Sequence, residues 1–296
     1  MKVKDLQQYV RSRAQLIERA LEEYLPGDDV VPEILHRSMR YSTLGGGKRL
    51  RGILALTAAE IAQGSSDAAL PLAAALEMIH SFSLIHDDLP CMDDDDWRRG
   101  KPSNHKMFGE AIALLAGDAL LTRAFYLLTR LSLADDAAVV NIIAEVAQAV
   151  GSEGLIGGQV VDLQSEGKKV DRATLEYIHC HKTGDLITVA LRTGAMVGGA
   201  GEELLASLTT YGRELGLLFQ ITDDILDVEG DVDKLGKPVG SDASHGKATY
   251  PALFGLEKAK EAAHGAAANA LAALAGLGEE AWPLRELVGY ILHRDR

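Results

Sequence analysis

Two aspartate clusters carry the most visible chemistry in this chain. The first reads His86-Asp87-Asp88-Leu89-Pro90-Cys91-Met92-Asp93 and continues as Asp94-Asp95-Asp96; the second reads Asp223-Asp224-Ile225-Leu226-Asp227. Carboxylates at this density repel one another, each unit-charge pair at 4 Å by about 4 kcal/mol at an effective dielectric near 20. Water can absorb that repulsion at a helix end, so Asp93 to Asp96 taken alone could be a solvated acidic face. Two separate Asp-Asp clusters on apolar helices are better relieved by hard divalent cations. Mg²⁺ above all pairs a few carboxylates with substrate phosphates.

Short basic clusters answer the acidic ones: Gly45-Gly46-Gly47-Lys48-Arg49-Leu50-Arg51, Arg98-Arg99-Gly100-Lys101-Pro102, Lys182-Thr183-Gly184, Lys237 and Lys247. Glycines let a backbone approach a ligand closely, and a helix N-terminus favours an anion. Arginine forks and lysine point charges both suit phosphate. Each cluster has a plainer reading. Lys48 and Arg51, three apart, could mark a solvated helix start. Arg98 and Arg99 could balance the acid run, and the lysines in or beside polar loops could simply face solvent. His80 falls on the helical face of Asp87, where a lone histidine can equally be structural. No Cys/His spacing suggests zinc.

Helices must position these groups. Ala and Leu dominate and aromatics make up 5% of the chain, which favours helix over sheet. Helical periodicity recurs between turn signals at 26–29, 64–67, 165–169, 198–201 and 229–246, with no alternating run long enough for a sheet. The expectation is an all-α, single-domain chain over 1–296. A helix is expected over 70–89, placing His80, Ser83, Leu84 and Asp87 on one face, with Pro90 forcing a bend before Asp93. A second helix over 202–228 puts Asp223 and Asp227 on one face. Gln220, Gly216, Gly212 and Thr209 extend that face backwards, and such a small, polar stripe suggests a cavity beside the helix.

The formal net charge of −13 leaves no basic footprint for a nucleic acid. No apolar run is read as reaching the roughly 18–20 residues that span a bilayer. The charged start, Met1-Lys2-Val3-Lys4-Asp5, is not a signal peptide. Two cysteines, Cys91 and Cys180, fit a reducing compartment. A cytoplasmic protein without stable membrane insertion is expected.

The joint pattern resembles the trans-isoprenyl diphosphate synthases, and among them the short-chain bacterial farnesyl diphosphate synthases. Gly46 to Arg51 is similar to that family's first basic motif. His80 to Asn104 is similar to its first Asp-rich motif, in the longer Asp-Asp-x4-Asp form. Lys182-Thr183-Gly184 and Phe219 to Asp227 are similar to its later motifs. The resemblance implies an all-α helical bundle around a central cavity, usually a homodimer. It implies that Asp87, Asp88, Asp93, Asp223 and Asp227 hold three Mg²⁺ ions, with Mn²⁺ a possible substitute. Arg98, Lys182, Lys237 and Lys247 would contact the allylic diphosphate. Lys48, Arg51, His80 and Arg99 would hold isopentenyl diphosphate, and Thr183 and Gln220 would set oxygen dipoles near the allylic cation.

Two positions depart from the family pattern: Gly52 stands where Pro is usual, and Trp97 where Leu is common. An aromatic at Phe82, just before the first Asp pair, reads in this family as a floor that stops the product at C15. Helix geometry supports this less: Ser83 lies about 40° from Asp87 and Phe82 about 140°, so Phe82 could equally be core packing. Farnesyl diphosphate is the expected product and geranylgeranyl diphosphate the runner-up. A class I terpene cyclase and a non-catalytic partner subunit are weaker alternatives, since both Asp motifs and the isopentenyl-binding basics are present. Arg294 and Arg296 could fold over the isopentenyl site, as basic tails do in relatives, but are read by default as frayed, solvated ends.

Overall fold

The computed structural model describes residues 5–133, 135–229 and 247–294. The described residues form helices α1 (Leu6–Tyr24), α2 (Glu33–Thr43), α3 (Leu50–Ile61), α4 (Ser66–Asp87), α5 (Asn104–Phe108), α6 (Glu110–Leu128), α7 (Asp136–Val150), α8 (Leu155–Ser165), α9 (Arg172–Ile178), α10 (Asp185–Val197) and α11 (Glu202–Glu229). After the break come α12 (Tyr250–Phe254), α13 (Leu256–Ala273) and α14 (Trp282–Leu292). The all-α expectation holds, and helix ends fall at the turn signals within the described residues. The exception is a two-residue hairpin, β1 (Trp97–Arg98) paired antiparallel with β2 (Lys101–Pro102).

α4 is apolar on nearly every side, which marks a helix surrounded by others. Leu72, Leu76, Met78 and Ile79 are fully buried, and α4 packs against α6, α3 and α1. The helix starts four residues earlier than expected: the Ser65 hydroxyl accepts from Asp67 N (3.2 Å), and the helix runs through Pro71. α10 lies against α3 and α11, and α11 against α13. Tyr211, fully buried on α11, donates to Leu284 O (2.9 Å) and ties α11 to α14.

One sequence reading is corrected here. α4, α6 and the stretch Asp136–Ser165 are each long and apolar enough to cross a membrane by length and composition. Scattered single polar groups hid these stretches from a search for an unbroken apolar run. α4 spends that apolar surface inside the bundle, whereas α6 leaves Leu114, Leu115 and Tyr126 exposed.

Candidate active site

The first aspartate cluster is built on the C-terminal end of α4. Asp87 is the last helical residue, and Asp88 closes the helix with its N–H on Leu84 O (3.2 Å). Pro90 breaks the helix as expected, but the chain then folds back. Met92 N bonds Leu89 O (2.8 Å) and Asp93 N bonds Asp87 O (2.9 Å), so the turn returns Asp93 to Asp87. Burial pushes the Asp87 carboxyl up to about 6; Lys182 opposes the shift and the neighbouring charge of Asp93 adds to it.

Asp88 differs from Asp87. It is buried, and Oδ1 accepts two bonds from the Arg98 guanidinium, one of them from Nε at 2.9 Å. Arg98 also reaches Asp95 Oδ2 (3.0 Å). Lys247 Nζ bonds Asp93 Oδ2 (3.0 Å), and Lys182 Nζ bonds Asp162 Oδ2 (2.6 Å). Lys182, Arg98 and Lys247 all lower Asp87 electrostatically, so these three cations cluster around the first motif.

The second cluster faces another set of cations. Asp223 and Asp227 line a cavity of about 580 Å³ with Lys48, Arg49, Arg51, Glu77, His80, Arg99 and Arg294. Arg51 Nη1 donates to His80 Nε2 (3.3 Å), and burial with the surrounding guanidinium charges holds His80 well below its ordinary pKa. A neutral imidazole accepting from Arg51 follows. His80 and Asp87 share a face of α4 seven residues apart, about 10 Å along the axis. The two cation groups therefore flank α4 one beyond the other.

The glycine turn does more than begin a helix. Gly47 has φ +134°, and a Cβ there would stand 2.9 Å from the Arg99 guanidinium, which also donates to Gly46 O. The turn is the seat of Arg99, reaching across from the other basic cluster. Lys48 lies before α3, and Arg49 takes a left-handed cap conformation (φ 53°). Lys48 and Arg51, three apart in sequence, thus meet at the cavity through the turn and not through a shared helix face.

Three further expectations are corrected. Lys182 and Thr183 sit in a π-helical stretch, His179–Gly184, joining α9 to α10, and not in a polar loop; such widened turns recur at functional sites. The glycine stripe of α11 does not line a cavity. A Cβ at Gly216 would lie 2.7 Å from Gly184 Cα, and one at Gly212 2.8 Å from Thr188 Cα. Gly216 lets α11 close onto the π stretch and Gly212 onto α10, setting Gln220, one turn on from Gly216, on that same face. Arg294 is not frayed: its side chain is 4% exposed, stacks on the Phe219 ring (4.2 Å) and donates to Phe219 O (3.0 Å) and Asp223 Oδ1 (2.5 Å). Lys237 and Arg296 lie outside the described residues.

Phe82 is buried and meets His86 edge-on (5.0 Å). His86 Nε2 in turn donates to Leu114 O on α6 (3.0 Å) and fills the space beside Gly117. Ser83 donates back to His80 O (3.0 Å).

Sequence reasoning missed Asp162, Gln159 and Glu77. Asp162 holds the Lys182 ammonium. Gln159 is buried, and both its amide atoms lack a hydrogen bond among the described residues. The run Gly157-Gly158-Gln159-Val160-Val161-Asp162 placed two polar side chains three apart beside two glycines on an apolar helix, a signal that was legible. Asp224, by contrast, turns away: it is buried, accepts from Tyr250 N (2.9 Å) and approaches His179 (3.6 Å). Its work is to hold α12 onto α11.

The chain matches the Polyprenyl synthetase family over residues 32–276. It is 48% identical to a farnesyl diphosphate synthase from Geobacillus stearothermophilus, covering 86% of each chain. It is 46% identical to a chloroplastic geranylgeranyl pyrophosphate synthase from Catharanthus roseus, covering 98% of this chain and 82% of that one. The solved structure of an FPP/GFPP synthase from Zymomonas mobilis superposes with a TM-score of 0.87 at 38% identity, covering 97% of this chain and 98% of that one. Joining two diphosphate-bearing substrates needs two cation groups with carboxylates between them, and that arrangement comes with the family match: the chain belongs to the polyprenyl synthetases, as a trans-isoprenyl diphosphate synthase.

Proposed function

We propose that the chain condenses isopentenyl diphosphate with dimethylallyl and then geranyl diphosphate, releasing farnesyl diphosphate (C15). The observation that carries the reading is the division of cations into two groups along α4. Lys48, Arg51 and Arg99, with neutral His80, form the pocket for isopentenyl diphosphate. Arg98, Lys182 and Lys247 surround Asp87 and Asp93 and form the pocket for the allylic diphosphate, to which Lys237 is also assigned.

The donor set fits Mg²⁺. Asp87, Asp88, Asp93, Asp223 and Asp227 offer oxygen ligands only, and burial together with the neighbouring charge of Asp93 holds Asp87 near pKa 6, an environment that a hard divalent cation would relieve. Those carboxylates would hold Mg²⁺, which would supply charge stabilisation to the diphosphate leaving group. The chain's own residues do the rest. Arg98 and Lys182 stabilise negative charge as the allylic C–O bond breaks. Thr183 and Gln220 place oxygen dipoles beside the allylic cation. Arg51 and Arg99 hold isopentenyl diphosphate so that its double bond attacks that cation, and the departing diphosphate takes the proton lost in forming the new double bond.

A stop at C15 rests on Phe82, which is buried on α4 five residues before Asp87 and packs edge-on against His86. The similarity to geranylgeranyl synthases such as the Catharanthus roseus enzyme favours C20 as the second reading. Incubating isopentenyl diphosphate with dimethylallyl or geranyl diphosphate, with and without Mg²⁺, and chromatographing the products tests both. C15 is expected, and Phe82→Ala should lengthen the product. A wild-type product mainly of C20 removes the Phe82 argument, and no metal-dependent condensation removes the whole reading. A cytoplasmic homodimer completes the proposal, supported by the uncovered apolar face of α6 and the two free cysteines.

A further inference from the structure

The acid run does not end at the carboxylates assigned to the reaction. Asp93 is taken by Lys247, and Asp88 and Asp95 by Arg98. Asp94 and Asp96 remain, and the hairpin brings His105 to them. Trp97 pairs with Pro102, so Asp96 and Ser103 face each other across the hairpin's open end, where Ser103 N bonds Asp96 O (2.9 Å). His105 follows two residues later, in the first turn of α5. A ring nitrogen of His105 and one carboxylate oxygen each from Asp94 and Asp96 lie within 4.8 Å of one another.

His105 itself asks for a ligand. The side chain is 6% exposed; Nδ1 is engaged by the Ser103 hydroxyl (3.1 Å), and Nε2 is buried with no hydrogen-bond partner. A buried ring nitrogen without a partner is destabilising until a ligand or donor meets it. The carboxylate of Asp94 makes no hydrogen bond or ion pair among the described residues, and Lys106 Nζ occupies only Oδ1 of Asp96 (2.7 Å).

We propose that Asp94, Asp96 and His105 bind one transition-metal ion of borderline softness, such as Zn²⁺, at a site separate from the magnesium ligands. One imidazole nitrogen with two carboxylate oxygens suits such an ion, whereas Mg²⁺ prefers oxygen throughout. Ligands about 2.0–2.2 Å from an ion stand roughly 3–4 Å apart, a gap that rotation of two exposed aspartates closes. The ion bolts the distal end of the acid run to α5, and its binding does not depend on the reaction assigned above.

Isothermal titration with ZnCl₂ tests this in the Asp87→Asn/Asp227→Asn double variant, which removes one carboxylate from each of the two assigned magnesium motifs. One Zn²⁺ per chain is expected in the presence of millimolar Mg²⁺. Asp94→Asn, an exposed change that leaves the core alone, should weaken it at least tenfold, and His105→Gln at least as much. If His105→Gln fails to fold, Asp94→Asn decides. No bound Zn²⁺, Zn²⁺ displaced by Mg²⁺, or affinity indifferent to Asp94→Asn each overturns the site.

Discussion

Single residues here take their roles from what surrounds them, and neighbours of one type diverge. Asp223 faces the cavity while Asp224, next in sequence, is buried against Tyr250 and His179. Helical periodicity separated those two correctly, because 100° of rotation is enough to turn one carboxylate from site to core. Asp227→Asn should lower kcat/KM by on the order of 10²-fold or more, the scale of losing one charge-stabilising group, with the unfolding midpoint kept. His179 gives a second test. Burial holds its pKa to about 4, with Asp162 and Lys182 exerting smaller, opposed influences. Between the ordinary value of 6.5 and 4, the unfolded chain binds a proton that the folded one refuses, so His179 makes stability fall as pH falls. His179→Phe keeps the stacking on Tyr250 and removes that penalty. Against the variant, the wild type should lose about 2 kcal/mol between pH 7 and 5 in urea titrations. Asp87, raised to about 6, acts in the opposite direction in both proteins and cancels from the difference.

At the scale of elements, the site depends on contacts that no residue class announces. The start of α3 is one. Its N–H groups need acceptors, yet Arg49 at the cap makes no side-chain capping bond. Glu77, buried on α4, supplies one: Oε1 accepts from Gly52 N (2.9 Å). The departure from the family's usual proline thus has a use, since a proline has no N–H to give. Gly52→Pro should cost about 1.5–3 kcal/mol, the worth of a hydrogen bond to a charged group, read as a lower urea midpoint. It should also raise KM for isopentenyl diphosphate more than for the allylic substrate, because Arg51 is its neighbour. The Gly216–Gly184 crossing is another. Gly216→Ala should push α11 off the π stretch, cost about 1–3 kcal/mol and lower kcat through Lys182 and Thr183. The stripe of glycines was visible in the sequence but was read as a cavity wall. Glycine periodicity marks close approach without saying whether a ligand or a backbone approaches. The π stretch and the return of Asp93 to Asp87 were invisible for a related reason, since both are set by hydrogen bonds several residues apart that composition does not encode.

Over the whole molecule, the all-α architecture and the order of its helices were legible, because apolar periodicity and glycine breaks act locally. The grouping of cations was not: Arg99 reaches Gly46 across 53 residues, Lys247 reaches Asp93 across 154, and Arg294 reaches Asp223 across 71. Such contacts follow from how α4 is enclosed, a property of every helix at once. The same enclosure defines what stays uncovered. α4 buries its apolar surface in the bundle, but on α6 Leu114, Leu115 and Tyr126 are 46%, 53% and 53% exposed. A stripe of large apolar side chains on the helix that covers α4 is the face proposed above to be shared with a second copy. Interfaces of permanent dimers run to about 2,000 Å² or more and resemble a core cut in half. Leu115→Glu with Tyr126→Glu places two charges where such an interface would exclude water. Sedimentation should show the wild type as a dimer and the double variant as a monomer with unchanged helical circular dichroism. A wild type that sediments as a monomer at micromolar concentration would leave α6's apolar face without this partner. Activity then adds a finer readout. α6 backs the α4 segment that carries Phe82, so loss of the second copy should loosen that contact and lengthen the product while leaving both aspartate motifs in place.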